Sequence, residues 1–236
     1  MSPAQILATS GVLEGDRSRT LDLIRYALSL AGAAGPAKLC FLPTAEGDHP
    51  GAVKWFESAF GNDPSVEPSV LTLFTQPNVP DVRKHLLAQD VLWVGGGSVV
   101  NLMAVWRAHG LPEILHEAWQ SGVVMAGQSA GSLCWHVGGP TDSFGDSLDA
   151  FSNGLGWLPW SNGVHDELGD QPRRTTYRRM VASGALPAGY ATEGGVGLHY
   201  VDGAFREAVS VVDGARAWYV EGDGETEIVP RVLEAF

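Results

Sequence analysis

Residues 123–126 (Val-Val-Met-Ala) run directly into Gly127-Gln128-Ser129-Ala130-Gly131, and this join restricts the possible folds of the chain more than any other feature. A buried strand that turns through Gly-x-Ser-x-Gly into a helix needs a sheet around it and a helix packed over its end, which is the setting of an α/β protein. The turn strains the serine and exposes its hydroxyl, while glycine on either side removes the side chains that would block the crossing. The N–H of Ala130 then lies at a helix start, where it can face a developing oxyanion. The same pattern predicts a following helix that carries Cys134 and reaches His136.

The rest of the chain supplies the sheet. Apolar spacing predicts strands over 6–8, 38–43, 69–74 and 91–94, and helices over 18–31, 53–60, 82–88 and 99–108. Strand and helix in alternation imply a mostly parallel sheet with helices on both faces, and ligands beyond the carboxyl ends of its strands, where Ser129 falls. From about residue 198 the pattern changes to short strands over 199–201, 207–212, 217–220 and 226–228, separated by Asp202-Gly203, Asp213-Gly214 and Asp223-Gly224. Asp-Gly is a strong hairpin signal, so an antiparallel β extension is expected at the C-terminus. No repeat or linker interrupts the chain, and residues 1–236 read as a single α/β domain.

Composition excludes several classes of function. Fifteen basic against 27 acidic side chains give a net charge of −12, which disfavours nucleic acid and anionic membranes as partners. Two cysteines, Cys40 and Cys134, provide neither a disulfide framework nor a metal motif, and a reducing cytoplasm is the expected location. No stretch has the roughly 18 consecutive apolar residues of a membrane span, and the start of the chain lacks a signal-peptide pattern. Neither a metal nor another cofactor is expected.

A second glycine-rich strand end, Trp93-Val94-Gly95-Gly96-Gly97-Ser98, lets backbone approach a ligand, and Gly96 or Gly97 can supply an oxyanion donor to complement Ala130. It does not read as a phosphate loop, because Val100 stands where a dinucleotide fingerprint needs glycine and no Gly-Lys-Ser/Thr follows. Of the seven histidines, most fall in or beside helices or in an apolar strand; His49 lies in a loop, and His165 follows an apolar run into a polar loop, where a catalytic base would be presented. The carboxylate that orients it is assigned to Glu193, with Asp142, Asp166 and Asp170 as competitors.

The two glycine-rich strand ends, together with Gly154-Leu155-Gly156-Trp157-Leu158-Pro159, a loop histidine and Glu193-Gly194, resemble the peptidase E (aspartyl dipeptidase) family over nearly the whole chain. The resemblance implies a fold similar to class I glutamine amidotransferase domains and cleavage of dipeptides that begin with aspartate, without a metal. Carried over by motif, Ser129 is the nucleophile, His165 the base, Glu193 the orienting acid, and Gly97 with Ala130 the oxyanion hole. An arginine between histidine and glutamate would grip the substrate carboxylate, and Arg173 and Arg174 match that position. The chain departs from the family in two places: Gly163-Val164-His165-Asp166 replaces the usual Asn-Pro-His or Pro-His-Tyr context, and Ser98 replaces a substrate-holding asparagine.

The expected function is therefore a serine dipeptidase that acts on small peptides through an acyl-enzyme, with an aspartyl preference weaker than the family norm. The alternatives are a cyanophycinase-like or broader serine hydrolase and a non-catalytic binding protein on the same fold. A cysteine-dependent amidotransferase is disfavoured because Cys134 lies past the elbow. The sequence does not set the oligomeric state, and a homodimer is one of the options.

Overall fold

Strand and helix alternate through the first half of the chain: β1 (Gln5–Thr9), α1 (Arg17–Ala31), β2 (Ala37–Leu42), α2 (Pro50–Phe60), β3 (Val66–Val70), α3 (Val82–Leu87), β4 (Val91–Val94), α4 (Val99–Ala108), α5 (Leu111–Gln120) and β5 (Val124–Gln128). After them come α6 (Ala130–Leu133), β6 (His136–Thr141), β7 (Asp149–Phe151), β8 (Leu158–Val164), α7 (Arg173–Ala182), β9 (Gly189–Thr192), β10 (Val196–Val201), β11 (Ala204–Ser210), β12 (Ala217–Glu221), β13 (Gly224–Ile228) and β14 (Arg231–Val232). These elements come from a computed structural model that describes residues 3–11, 17–167 and 171–234. Among the described residues no helix is long and apolar enough to cross a membrane.

The strands form two sheets. In the first, β1, β5, β4, β2 and β3 lie side by side and parallel, and β10 pairs antiparallel with β1 on the other side. One face packs Leu39, Phe41, Trp93 and Ala126 against Leu23, Ile24 and Phe56 of α1 and α2. The opposite face packs Leu92, Val94 and Met125 against Met103, Trp106 and Leu115 of α4 and α5, so helices cover both faces as alternation predicts. The second sheet runs β13-β12-β9-β8-β6-β7, and the C-terminal strands are mostly antiparallel.

Local sequence explains most element ends. Ser98 caps α4 and Asp81 caps α3, each side chain accepting the N–H three residues on. At the β10–β11 turn, Asp202 (φ 50°) and Gly203 (φ 77°) both take the left-handed backbone that a two-residue hairpin loop requires.

Three expectations are corrected. The helix after the elbow is one turn long and does not reach His136: the carbonyls of Cys134, Trp135 and His136 accept from Leu155, Leu158 and Gly156, which draws the chain into β6. Asp213-Gly214 is not a hairpin turn, because β11 and β12 belong to different sheets. β3 lies earlier than predicted, with Pro68 tolerated on a strand at the sheet edge, while Leu73 and Phe74 turn away to donate their N–H groups to Asp48.

Candidate active site

Ser129 ends β5 with φ 53° and ψ −111°, a backbone that residues with a Cβ rarely adopt. Packing holds it there. A Cβ on Gly127 would lie 2.5 Å from the Gly131 carbonyl oxygen, and one on Gly131 would lie 2.3 Å from that of Val94. Both glycines of the elbow are thus required by the close approach of α6 to the ends of β4 and β5. The N–H of Ser129 donates to Thr9 O at 2.9 Å, which fixes the turn to β1.

His165 reaches this serine from the second sheet. It follows β8, has φ 57°, and places Nε2 3.1 Å from Ser129 Oγ. Its N–H donates to Ser10 Oγ, whose hydroxyl also meets Thr192, and the next residue, Asp166, donates its N–H to Thr192 O. The helix after the elbow is tied to the second sheet by Ser132 Oγ donating to Asn162 Oδ1 at 2.7 Å, with Asn162 Nδ2 donating to Tyr190 O.

The glycine-rich strand end read as a source of an oxyanion donor lies beside the elbow. A Cβ on Gly96 would lie 3.4 Å from the Ser129 Cβ, so this strand end adjoins the elbow. Gly97 adopts φ 124° against the 3-10 turn Thr44–Glu46, where a Cβ would lie 2.5 Å from Ala45 O. Among the described residues no protein acceptor takes the N–H of Gly97 or of Ala130.

The third carboxylate is where geometry and sequence part. Glu193 is not brought to His165; its carboxylate accepts the N–H of Arg216 at 2.8 Å and extends the β9–β12 ladder. Asp166 is buried and binds Arg174 and Arg178 of α7. Asp170 lies outside the described residues. Asp142, at the end of β6, is the carboxylate whose field acts on the imidazole, and it also pairs with Arg173 at 2.8 Å. His165 Nδ1 itself is buried and has no hydrogen-bond partner among the described residues.

Burial in the site, and then the Arg173 charge, lower the His165 pKa to about 4, with Asp142 acting the other way. The working form of a general base is the neutral imidazole, so His165 is ready to accept a proton at neutral pH. Activity should therefore persist as pH falls through the ordinary histidine range and be lost only near pH 4, where the folded-state imidazole is protonated. Arg173→Met, by removing one cause of the lowering, should move this acid limb of kcat/KM upward. A limb near 6.5 in the parent enzyme would mean that His165 is not the buried base.

The predicted substrate-binding residues separate. Arg174 is occupied: it binds Asp166 and Glu225 and lies 4.1 Å over the Trp218 ring. Ser98 is the α4 cap. Only Arg173 stands in the electrostatic neighbourhood of His165. The Gly154–Pro159 motif is a packing element, since Trp157 stacks on Trp119 and Trp135 at 5.2 and 5.4 Å. His49 caps α2. Asp142 could have been favoured from sequence only by its position in a polar turn after Gly-Gly-Pro-Thr, a signal no stronger than those of its competitors.

A strained serine at the end of a parallel strand, paired with a histidine from a neighbouring sheet, defines a hydrolase-type elbow on an α/β fold. The chain belongs to peptidase family S51, whose profile matches residues 6–208. It is 38% identical over 216 residues to a Bacillus subtilis (strain 168) protein, the uncharacterized peptidase YgaJ, a match that spans 92% of this chain and 91% of the relative. The fold is shared with a peptidase from an acI-B1 Actinobacterium (TM-score 0.70, 15% identity, 99% and 97% of the two chains). It is also shared with a proposed peptidase E protein of Listeria monocytogenes EGD-e (TM-score 0.56, 14% identity, 96% and 98%). The peptidase E resemblance read from the motifs thus agrees with family membership.

Proposed function

We propose that this protein is a serine peptidase of short peptides that works through an acyl-enzyme on Ser129. The observation that carries the reading is the 3.1 Å approach of His165 Nε2 to a serine held in a strained elbow. His165 takes the Ser129 proton as Oγ attacks the scissile carbonyl, and the N–H groups of Gly97 and Ala130 receive the oxyanion, each worth roughly 3 kcal/mol of barrier. The imidazolium, stabilised by the field of Asp142, then protonates the leaving amine, and water enters by the same base to release the acid. In this reading Asp142 supplies charge that stabilises the imidazolium, without a hydrogen bond to Nδ1.

An aspartyl preference rests on Arg173 alone. Its charge acts on the base, and its guanidinium is already paired with Asp142 at 2.8 Å, so an acidic substrate must share it. The preference should therefore be modest, about tenfold in kcat/KM for Asp-Leu over Ala-Leu. The test is hydrolysis of Asp-Leu, Asn-Leu and Ala-Leu by the purified protein, together with labelling by a fluorophosphonate. Hydrolysis with equal rates for Asp-Leu and Ala-Leu would remove the aspartyl assignment and leave a broader serine peptidase. Neither hydrolysis nor labelling would favour a binding protein on this fold.

A further inference from the structure

Thr9 ends β1 and Ser10 follows it, and between them these consecutive residues touch both halves of the site. The carbonyl of Thr9 accepts the N–H of Ser129 at 2.9 Å, and its hydroxyl donates to Gly127 O at 3.1 Å, so the first residue is bound to the elbow. Ser10 reaches the other way. Its Oγ lies 3.0 Å from the N of His165, 2.8 Å from Thr192 O and 2.7 Å from Thr192 Oγ1.

One hydroxyl satisfies all three contacts. Serine has one proton to give and two lone pairs to offer, and a carbonyl can only accept while a backbone N–H can only donate. The Ser10 proton therefore goes to Thr192 O, and its lone pairs take the His165 N–H and the Thr192 hydroxyl. Ser10 and Thr192 are buried, at 0% and 1% exposure, so solvent does not compete for these groups.

The backbone of His165 needs such a hold. Its φ of 57° is uncommon for a residue with a Cβ and persists where the surroundings fix it. Val164 before it pairs with Thr192, and Asp166 after it donates its N–H to Thr192 O, but the N–H of His165 leaves this ladder and crosses to Ser10 at the end of a first-sheet strand. Without Ser10 Oγ that N–H loses its acceptor, and a shift of the segment that relieves the cost carries the imidazole off Ser129.

We infer that Ser10 is the positioning residue for the base: with Thr9 on the nucleophile and Ser10 on His165, the end of β1 fixes the span across which the Ser129 proton is passed. The inference rests on the reading of Ser129 and His165 as a catalytic pair. Ser10 acts through the His165 backbone and not on the reacting atoms.

The test is a set of variants assayed for peptide hydrolysis. Ser10→Ala should lower kcat by about 10- to 100-fold with KM within about threefold, the scale of losing alignment between reacting groups. Thr192→Val, which keeps the shape of the side chain but removes one of the two hydroxyls, should lower kcat by about two- to tenfold and carries the test if Ser10→Ala does not fold. General loss of packing is separated in two ways. Ser161→Ala removes a buried hydroxyl, bonded to Tyr177 and Pro187, from the strand that leads to His165, and should keep kcat within about twofold. In a His165→Ala background, Ser10→Ala should change the residual rate by less than about twofold, because nothing is left to position.

Parent-like kcat in folded Ser10→Ala, an equal fall in Ser161→Ala or in the His165→Ala background, or parent-like kcat in Thr192→Val where Ser10→Ala does not fold, overturns the inference. A parent protein that neither hydrolyses peptides nor labels with a fluorophosphonate counts against the peptidase reading instead. The hold on His165 is then read from crystal structures of the same variants, in which Nε2 should lie beyond hydrogen-bond reach of Ser129 Oγ; an unmoved imidazole overturns it.

Discussion

Replacing Ser129 by alanine is expected to lower kcat/KM for peptide hydrolysis by roughly 10⁴- to 10⁶-fold and to abolish fluorophosphonate labelling, the range found when the nucleophile of a triad enzyme is removed. The protein itself should remain folded. Alanine keeps the Cβ, so the strain of φ 53° is unchanged, and the only side-chain hydrogen bond lost among the described residues is the one to His165. Tm should therefore move by only a degree or two, within about 0.5 kcal/mol. A folded variant that retains parent-like turnover would exclude the acyl-enzyme mechanism. His165→Ala combined with Ser129→Ala should be little worse than either alone, because the two side chains act as one unit.

The second expected result separates two carboxylates. Asp142→Asn should reduce kcat by less than the ~10⁴-fold that follows when an acid hydrogen-bonded to the imidazole is lost, because among the described residues His165 Nδ1 has no hydrogen-bond partner and Asp142 acts on it through charge alone. Glu193→Gln should leave kcat within a few-fold of the parent, since Glu193 accepts the Arg216 N–H and an amide oxygen can still do so. A pH profile distinguishes an electrostatic role for Asp142 from a merely structural one. Asp142 raises the His165 pKa, so its neutralisation should carry any residual acid limb to lower pH. Full activity in Asp142→Asn with a dead Glu193→Gln would return the orienting role to Glu193.

What the linear chain determined is local. Alternating strand and helix patterns with short connections dictate a parallel sheet, and the Gly-x-Ser-x-Gly join dictates where the sheet presents a hydroxyl. The two elbow glycines are legible for the same reason: any side chain there would strike the backbone of α6 or β4. His165 could be chosen because it follows an apolar run, residues 155–160, in a polar loop.

What depends on groups brought together from distant parts of the chain was settled by tertiary structure. The length of α6 is set by the N–H groups of Leu155, Gly156 and Leu158, which donate to the carbonyls of Cys134, His136 and Trp135, and no helix signal in 130–136 records this. Asp213-Gly214 has the composition of a hairpin turn, yet the destination of β12 is decided by its pairing with β9, far from the turn itself. Glu193, Asp142 and Asp166 are equivalent as carboxylates in a sequence. They differ because a backbone N–H occupies the first, the charge of the second acts on the imidazole, and two arginines bury the third. Arg173 and Arg174 are adjacent in sequence, but successive helical residues point about 100° apart, so one pairs with Asp142 and the other lies over the Trp218 ring. The elbow is a property of five consecutive residues, whereas its acid partner and substrate contacts are properties of the fold.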